Sequence, residues 1–456
     1  MHSRTEPEKR PTPLLSIAWP IFIEQSLRML VGIVSTLVVS HISDGAVAAL
    51  GVANQILFFF ILSFNFIGVG SSVVLTHHLG AGDRMGADSI ARTAIVANTW
   101  IGAAFSLFVF SLASVLLGWM KLPAELYGDA MPFLRIMGGS LCLEAFNASI
   151  AGVLRAHRHT RVAMVVGIGQ NAVNLAGSLV FIFGWMGAPM LGVYGVAIAG
   201  LLSRLCASVA LLSALSGRIG FKLRPRDFAV LEWGKVRRVL RIGLPAAAEN
   251  ICYWTAFMFV TRQVASLGAE ALAAQEYTIQ FQCLVIMFTM AIALANEILV
   301  GHHVGAGRPD RAYRQTLASV RAGLFIALGT VVLAALATPW LIGRFTDDRR
   351  IVESCAWLMR ISILLECGRV FNLIVINALR ATGDAKYPFR MAVLSMWLVW
   401  VPMAWGAVHF GFGLPGVWAA MTADEGFRGL LMLRRWRQRK WVASAERSRS
   451  QVVAVA

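Results

Sequence analysis

Read from its amino terminus, the chain alternates long apolar runs with short, basic connections. Mostly apolar runs of about 20 residues or more begin near Leu14, Ala48, Ile90, Gly128, Val162 and Leu191. A second set begins near Val239, Ala271, Thr316, Ile351, Tyr387 and Leu414. At a rise of about 1.5 Å per residue, each run crosses a hydrocarbon core of about 30 Å as an α-helix. Lipid offers no partner to backbone N–H and C=O groups, so a crossing segment must satisfy its own, which selects helix. The two-residue alternation of a membrane barrel is absent. The pattern predicts an all-α integral membrane protein with twelve transmembrane helices in two bundles of six.

The two sets are copies of each other at a spacing of 225 residues. Pro20 maps to Pro245, Glu24 to Glu249, Gln55 to Gln280, and HHLGAG at His77 to Gly82 maps to HHVGAG at His302 to Gly307. Arg135 maps to Arg360, Cys142 to Cys367, Asn147 to Asn372, and Leu154-Arg155-Ala156 to Leu379-Arg380-Ala381. Gly195-Val196 aligns with Gly416-Val417 at a spacing of 221, so a few residues were lost between. A unit this long is no solenoid repeat; it is half a protein, duplicated. Six crossings per half leave both halves running the same way, related by an axis along the membrane normal. Both HHxGAG motifs then lie on one face, and the seam between the lobes is where transporters of this build place substrate. The expected division is a tail (1–13), an N-terminal lobe (14–216), a basic linker (217–238), a C-terminal lobe (239–441) and a second tail (442–456).

Composition agrees with lipid as the solvent. Hydrophobic residues make up 57% and charged residues 14%, against roughly 25% charged in a soluble domain. The formal charge of +17 suggests a nucleic-acid partner until its placement is considered. With the N-terminus cytoplasmic, about 30 of the 41 basic residues fall in tails and loops on the cytoplasmic side and about 5 on the other. The linker holds Arg218, Lys222, Arg224, Arg226, Lys235, Arg237, Arg238 and Arg241, whereas Gly184 to Leu191 and Phe410 to Pro415 carry none. Both termini are therefore expected in the cytoplasm, with the chain a multi-pass protein of the cytoplasmic (inner) membrane. No basic groove interleaved with aromatics is present, which argues against nucleic acid. Six cysteines without CxxC or His-linked spacing argue against a disulfide framework or a metal site. The first apolar run is too long for a cleaved signal. No GxxxxGKS/T phosphate loop occurs, so secondary rather than ATP-driven transport is expected, with no enzymatic activity.

The stretch Gly51 to Asp83, GVANQILFFFILSFNFIGVGSSVVLTHHLGAGD, and its partner Gln275 to Arg308 resemble the multidrug and toxic compound extrusion (MATE) transporters. NALRATGDAKYP at Asn377 to Pro388, Gly195-Val196 and the duplicated six-helix halves extend the resemblance from Leu14 to about Trp441. The resemblance implies a V-shaped pair of bundles exporting organic, often cationic, compounds in exchange for protons or sodium ions. It also shows departures. The first-span aspartate of some members is Ser35 here, and the fifth-span asparagine and aspartate pattern reads Asn174 and Ser178. The seventh-span glutamate falls on Tyr253, so those cation sites do not carry over.

Charge inside lipid costs about 2.5 to 3.5 kcal/mol on insertion scales, so each membrane-embedded carboxylate needs a reason. Glu24 and Arg28 are four apart on one helical face, either an intrahelical ion pair or part of the transport path. Glu249, the repeat mate of Glu24, has Tyr253 four residues on instead of a cation. Pro245 one turn earlier frees a backbone carbonyl, and Glu249 is the leading candidate for ion coupling, with Tyr253 beside it. The alternative for Glu249 is a hydrogen bond across the bundle to Tyr or Asn. Glu276 and Glu297 in the eighth span are further coupling candidates; Glu249 and Glu297 fall at similar depth, which permits a two-carboxylate site. Glu366 with Arg369 and Asp424 with Arg428 have the spacing of structural ion pairs. Asn54, Gln55, Asn147, Asn174, Gln280 and Asn372 are cavity candidates, or polar locks between helices. Phe58, Phe59, Phe60, Trp254 and Phe257 are either drug-stacking or lipid-facing and core aromatics. The HHxGAG motifs read as helix ends; adjacent histidines point about 100° apart on a helix, so no metal is expected.

The expected function is efflux of small organic compounds by alternating access, in a monomer needing no cofactor beyond a coupling ion, H+ or Na+. A lipid-linked oligosaccharide flippase would want an arginine-rich cavity, and the embedded arginines Arg135, Arg204 and Arg360 are few. A dedicated natural-product exporter leaves no motif of its own. A non-transporting membrane partner of a biosynthetic complex would want a larger soluble segment. The broken symmetry, with Arg28 answered by Tyr253, Gly51 by Glu276, Ser72 by Glu297 and Glu144 by Arg369, places the expected coupling site in the C-terminal lobe.

Overall fold

A computed structural model describes residues 13–229, 231–344 and 348–453. Its helices in chain order are α1 (Leu14–Ser40), α2 (Asp44–Ala81), α3 (Arg84–Trp119), α4 (Tyr127–Gly139), α5 (Leu141–Ala156), α6 (Thr160–Phe183) and α7 (Gly192–Ala214). They continue as α8 (Trp233–Ala265), α9 (Ala269–Gly305), α10 (Pro309–Ile342), α11 (Arg349–Ala381), α12 (Lys386–Ser395), α13 (Val401–His409), α14 (Gly413–Arg437) and α15 (Val442–Val453). No strand occurs among the described residues.

Local chemistry sets several boundaries. Ser43 Oγ accepts from Ala46 N at 2.9 Å to start α2, and Asp83 Oδ1 accepts from Gly86 N at 2.8 Å to start α3. Gly82 at φ +79° closes α2, and its repeat mate Gly307 at φ +67° follows α9. α4 and α5 form one crossing bent by 44°. α12 and α13 form another, joined by a π-helical turn at Met396–Trp400 just before Pro402, which lacks an N–H to donate.

Nine helices among the described residues are long and apolar enough to cross a membrane, and the bent pair makes ten. α8 and α14 complete the twelve that the duplication requires. They fall short on composition because they carry charge: Glu249 behind a basic first stretch in α8, and Asp424, Glu425 and Arg428 in α14. Each of those four side chains is buried in the protein, so the charge is not presented to lipid.

The lobes meet along α1, α2, α8 and α9. Ile17, Ala18 and Ile21 of α1 pack into the core of the C-terminal lobe. In return Val236, Val239 and Ile242 of α8 pack into the core of the N-terminal lobe. α2 and α9 cross with backbones touching. A Cβ at Gly80 would collide with the His302 carbonyl, and one at its mate Gly305 would collide with the His77 carbonyl. The paired histidines also bond across the seam: His77 Nε2 donates to Ala381 O at 2.6 Å, and His302 Nε2 to Ala156 O at 2.9 Å. The HHxGAG motifs, expected only as helix ends, are thus the closure of the seam on the face that holds them.

Two boundaries differ from expectation. The linker expected over 217–238 is shorter, because a π-turn at Leu215–Ile219 continues α7 and α8 begins at Trp233. The tail expected at 442–456 carries α15 over Val442–Val453, which folds back across the seam and contacts both α2 and α9. Trp441, fully buried and stacked on Trp436 at 4.3 Å, anchors the fold-back. Arg439 pairs with Asp310 at 2.7 Å, Arg238 Nη2 donates to Gln451 O at 3.2 Å, and Arg449 packs over Gly307. The helix has twelve residues and few apolar anchors, too few to raise a periodic signal.

Gly305→Val inserts a branched side chain where α2 and α9 touch and is expected to wedge the seam apart. Thr76, 1% exposed, replaced by cysteine in a background lacking the native thiols, reports this. A water-soluble maleimide should label it faster in the Gly305→Val protein than in its parent, and equal rates would show that backbone contact does not hold the seam.

Candidate functional site

The polar chemistry is built on two Glu–Arg bridges that the duplication copied. α1 places Glu24 one turn beyond Pro20, and the end of α5 brings Arg155 to it, Nη1 lying 3.2 Å from Oε1 and 3.4 Å from Oε2. Arg28 stands further off, at 3.5 Å from Oε1. In the other lobe Arg380 Nη2 lies 2.7 Å from Glu249 Oε2. Both acids and both arginines are repeat mates. This corrects the expectation that Glu249 has no cation: its partner comes from α11, 131 residues on, where inspection of its own helix does not reach. It also corrects the reading of Glu24, whose chief partner is Arg155 rather than Arg28.

A second pair is copied with its polarity reversed. Arg204 Nε lies 3.2 Å from Glu144 Oε2, joining α7 to α5. The equivalent positions, at spacings of 225 and 221, are Arg369 and Glu425, which join α11 to α14 with Nε and Oε1 4.0 Å apart. The neighbouring asparagines follow: Asn147 Nδ2 donates to Arg204 O at 2.9 Å, and Asn372 Nδ2 to Glu425 Oε2 at 2.7 Å. Both asparagines therefore lock helices together, and Asn147 also lines a cavity together with Glu24 and Glu144. Around Arg369 and Glu425 the C-terminal lobe adds Glu366, bonded to Arg369, and Asp424, whose Oδ2 lies 2.7 Å from Arg428 Nη2. Arg428 also reaches Glu425 at 3.0 Å, and Ser395 bonds Asp424. Tyr253 stacks on Trp400 at 5.6 Å beside this network. Charges in so dry a place persist only when paired and hydrogen-bonded.

Two cavities lie within the N-terminal lobe, of about 370 and about 330 Å³. The inner one is lined by Glu24, Arg28, Asn98, Glu144, Arg155 and, from the other lobe, Glu297. Glu297 is 3% exposed, stands next to Ser72, its own repeat mate, and is within electrostatic reach of Arg380. Its Oε2 has no hydrogen-bond partner. Of the two carboxylates expected as a pair, Glu249 is bonded by Arg380, and Glu297, on the cavity wall, is within electrostatic reach of the same guanidinium. The outer cavity is lined by Arg28, Ser35, Thr36, Asn54, Asn171 and Asn174. Arg28 belongs to both.

Gln55, Glu276 and Gln280 are exposed and line neither cavity. Of the aromatics, Phe60 is buried in the core while Phe58 and Trp254 meet edge to face at 6.4 Å across the seam. Outside the spans, Asp83 holds His78 Nδ1 at 2.7 Å. Burial raises its carboxyl, but the Gly86 amide and His78 outweigh this and leave it below its ordinary value. No cluster of three or more metal-ligating side chains occurs among the described residues. Arg155, Arg380, Arg204 and Glu425 were missed as site residues. Their signal was present: the two arginines of the LRA triplets are copied along with the two glutamates that they hold.

A profile of the MatE family matches residues 20–180 and again 245–405, the same 225-residue offset. Among curated relatives, an uncharacterized transporter, YisQ, of Bacillus subtilis is 39% identical over 438 residues, covering 96% of each chain. A probable multidrug resistance protein, NorM, of Thermotoga maritima is 29% identical over 447 residues, covering 96% of this chain and 95% of its own. Among solved structures, an outward-facing multidrug resistance MATE transporter superposes with a TM-score of 0.85 at 20% identity, covering 95% of this chain and 96% of its own. At that identity the likeness establishes the two-lobe fold.

Glu249→Gln leaves Arg380 buried without its carboxylate, which is expected to destabilise the protein by about 3–5 kcal/mol. Thermal unfolding in detergent should show a marked loss for this variant and partial recovery in Glu249→Gln with Arg380→Gln. An unchanged melting temperature in the single variant would remove the structural role.

Proposed function

This chain belongs to the MatE family of multi-pass membrane transporters, and on that premise we propose that it exports small organic compounds in exchange for protons, with Glu297 as the proton carrier. The observation behind the reading is the free Glu297 Oε2, buried on the wall of the inner cavity. Every other buried carboxylate among the described residues is held by an arginine: Glu24 by Arg155, Glu249 by Arg380, Glu366 by Arg369, Asp384 by Arg435, and Asp424 and Glu425 by Arg428. A sodium ion would need several oxygens gathered around it and would meet the guanidiniums of Arg28 and Arg155. A proton needs one oxygen.

Position explains how such a carrier couples to movement. Glu297 belongs to α9 of the C-terminal lobe, yet it lines a cavity of the N-terminal lobe beside Ser72 of α2. Whatever opens the α2–α9 crossing withdraws it from that cavity. With the termini and the HHxGAG motifs cytoplasmic, the closed seam makes this the outward-facing state. A proton arriving from outside settles on Glu297 after substrate has left. The lobes then rock, the proton is released to the cytoplasm, and substrate enters the reopened seam. Two states exchanging about one axis, each favoured by a different ligand, suffice for antiport.

In proteoliposomes with an imposed pH gradient, Glu297→Gln is expected to reduce export of a fluorescent organic substrate to the level of protein-free vesicles, with folded protein retained. Replacing sodium by potassium at the same gradient should leave the wild-type rate unchanged. Full activity of Glu297→Gln, or a sodium requirement, would overturn the assignment.

A further inference from the structure

The outer cavity differs from the inner one in a way that bears on what it holds. Its lining contains no carboxylate, and its one charge is Arg28. Around that charge stand two hydroxyls, Ser35 and Thr36, and three amides, Asn54, Asn171 and Asn174. Thr36 is already spent on Gly32 O at 3.1 Å. Asn174 has a side-chain oxygen that is buried and unpartnered, and turning the amide over would instead present its two donors.

Arg28 is a surplus cation. Among the described residues its ion-pair partner is Glu24, at 3.5 Å, and Arg155 already holds both oxygens of that acid. Two guanidiniums share one carboxylate, so the constellation carries a net positive charge. The repeat mate of Arg28 is Tyr253, so the duplicated scaffold does not require a cation there. Its side chain is 62% exposed, which leaves most of its donors available. A guanidinium in a membrane-embedded cavity with free donors is suited to a planar oxyanion, which it can grip through two parallel hydrogen bonds.

We propose that the outer cavity is a subsite for the carboxylate of an organic substrate, with Arg28 as its counter-ion. The preferred cargo is then a zwitterion or an organic anion of drug size, rather than a simple cation. At about 330 Å³ the cavity falls within the range of small-molecule sites. A zwitterion meets complementary charge in both cavities, its carboxylate at Arg28 and its cationic end toward the unpartnered Oε2 of Glu297. Substrate and proton then compete for the same acid, which is the condition for exchange. This inference rests on the reading of the chain as an exporter of organic compounds, but its test does not require transport.

Two fluorescent probes separate the cases: a rhodamine with a free carboxylate, zwitterionic at neutral pH, and its methyl ester, a cation of nearly the same size. Binding to detergent-purified protein is followed by fluorescence polarisation, without any gradient. The wild type should bind the free acid about tenfold more tightly than the ester, the worth of one charge-assisted hydrogen bond. Arg28→Gln should erase that ratio by weakening the acid alone, Arg28→Lys should keep part of it, and the Ser35→Ala protein should keep most. Equal or reversed affinities in the wild type, no saturable binding of either dye, or an unchanged ratio in Arg28→Gln would overturn the proposal. A preserved ratio with failed proton-coupled export would instead count against the proton assignment alone.

Discussion

Everything else in the structure leans on the pairing of a glutamate in the first helix of each lobe with the arginine of the LRA triplet. Glu24 with Arg155, and Glu249 with Arg380, tie the proline-bearing helices α1 and α8 to the ends of α5 and α11. Within lipid neither partner is tolerable alone, so each bridge fixes where two helices end relative to one another. The next residue of each triplet, Ala156 or Ala381, then offers its carbonyl to the histidine of the opposite lobe. Intra-lobe charge pairing and inter-lobe hydrogen bonding are consecutive along the chain. A change at the bridge displaces the acceptor of the seam.

That arrangement also explains which features can be read from sequence. Helix number and pairing of halves are legible because lipid imposes one demand on every span, and because HHxGAG, the prolines and the LRA triplets recur at a fixed offset. The local pairs Glu366 with Arg369 and Asp424 with Arg428 are legible for a similar reason, since a helix brings residues three and four apart together. The partner of Glu249 is not, because it arrives from a helix more than a hundred residues away. Tyr253 at the next turn therefore suggested an isolated acid where a strong bridge exists. Glu297 was visible as a candidate, but its distinction, an unpartnered oxygen on a carboxylate that no arginine bonds, belongs to packing. Likewise the substitution of Glu144 by Arg369 between the halves reads as lost symmetry until Arg204 and Glu425 are seen to have exchanged sign with them.

The two lobes consequently share a frame and divide the chemistry. The C-terminal lobe buries its charged centre, where Glu366, Asp424 and Glu425 share Arg369 and Arg428. The N-terminal lobe spends the same positions on a single pair and keeps its interior open. Breaking the symmetry at Arg28 and at Glu297 places one surplus cation and one acid with an unpartnered oxygen around the same space. On the proposed reading, the C-terminal lobe, the expected seat of coupling, contributes Glu297, and the N-terminal lobe contributes most of the cavity that Glu297 lines.

The helix at Val442–Val453 is made after all twelve crossings, yet it rests on α2, the second of them. During synthesis the ribosome delivers it only once both lobes are already in the membrane. Until then the histidine contacts of the seam have no cover on the aqueous side. A segment that follows both lobes in the chain thus joins the earlier lobe to the later. A stalled product lacking it would resemble the finished protein helix for helix and differ in how firmly its halves are held together.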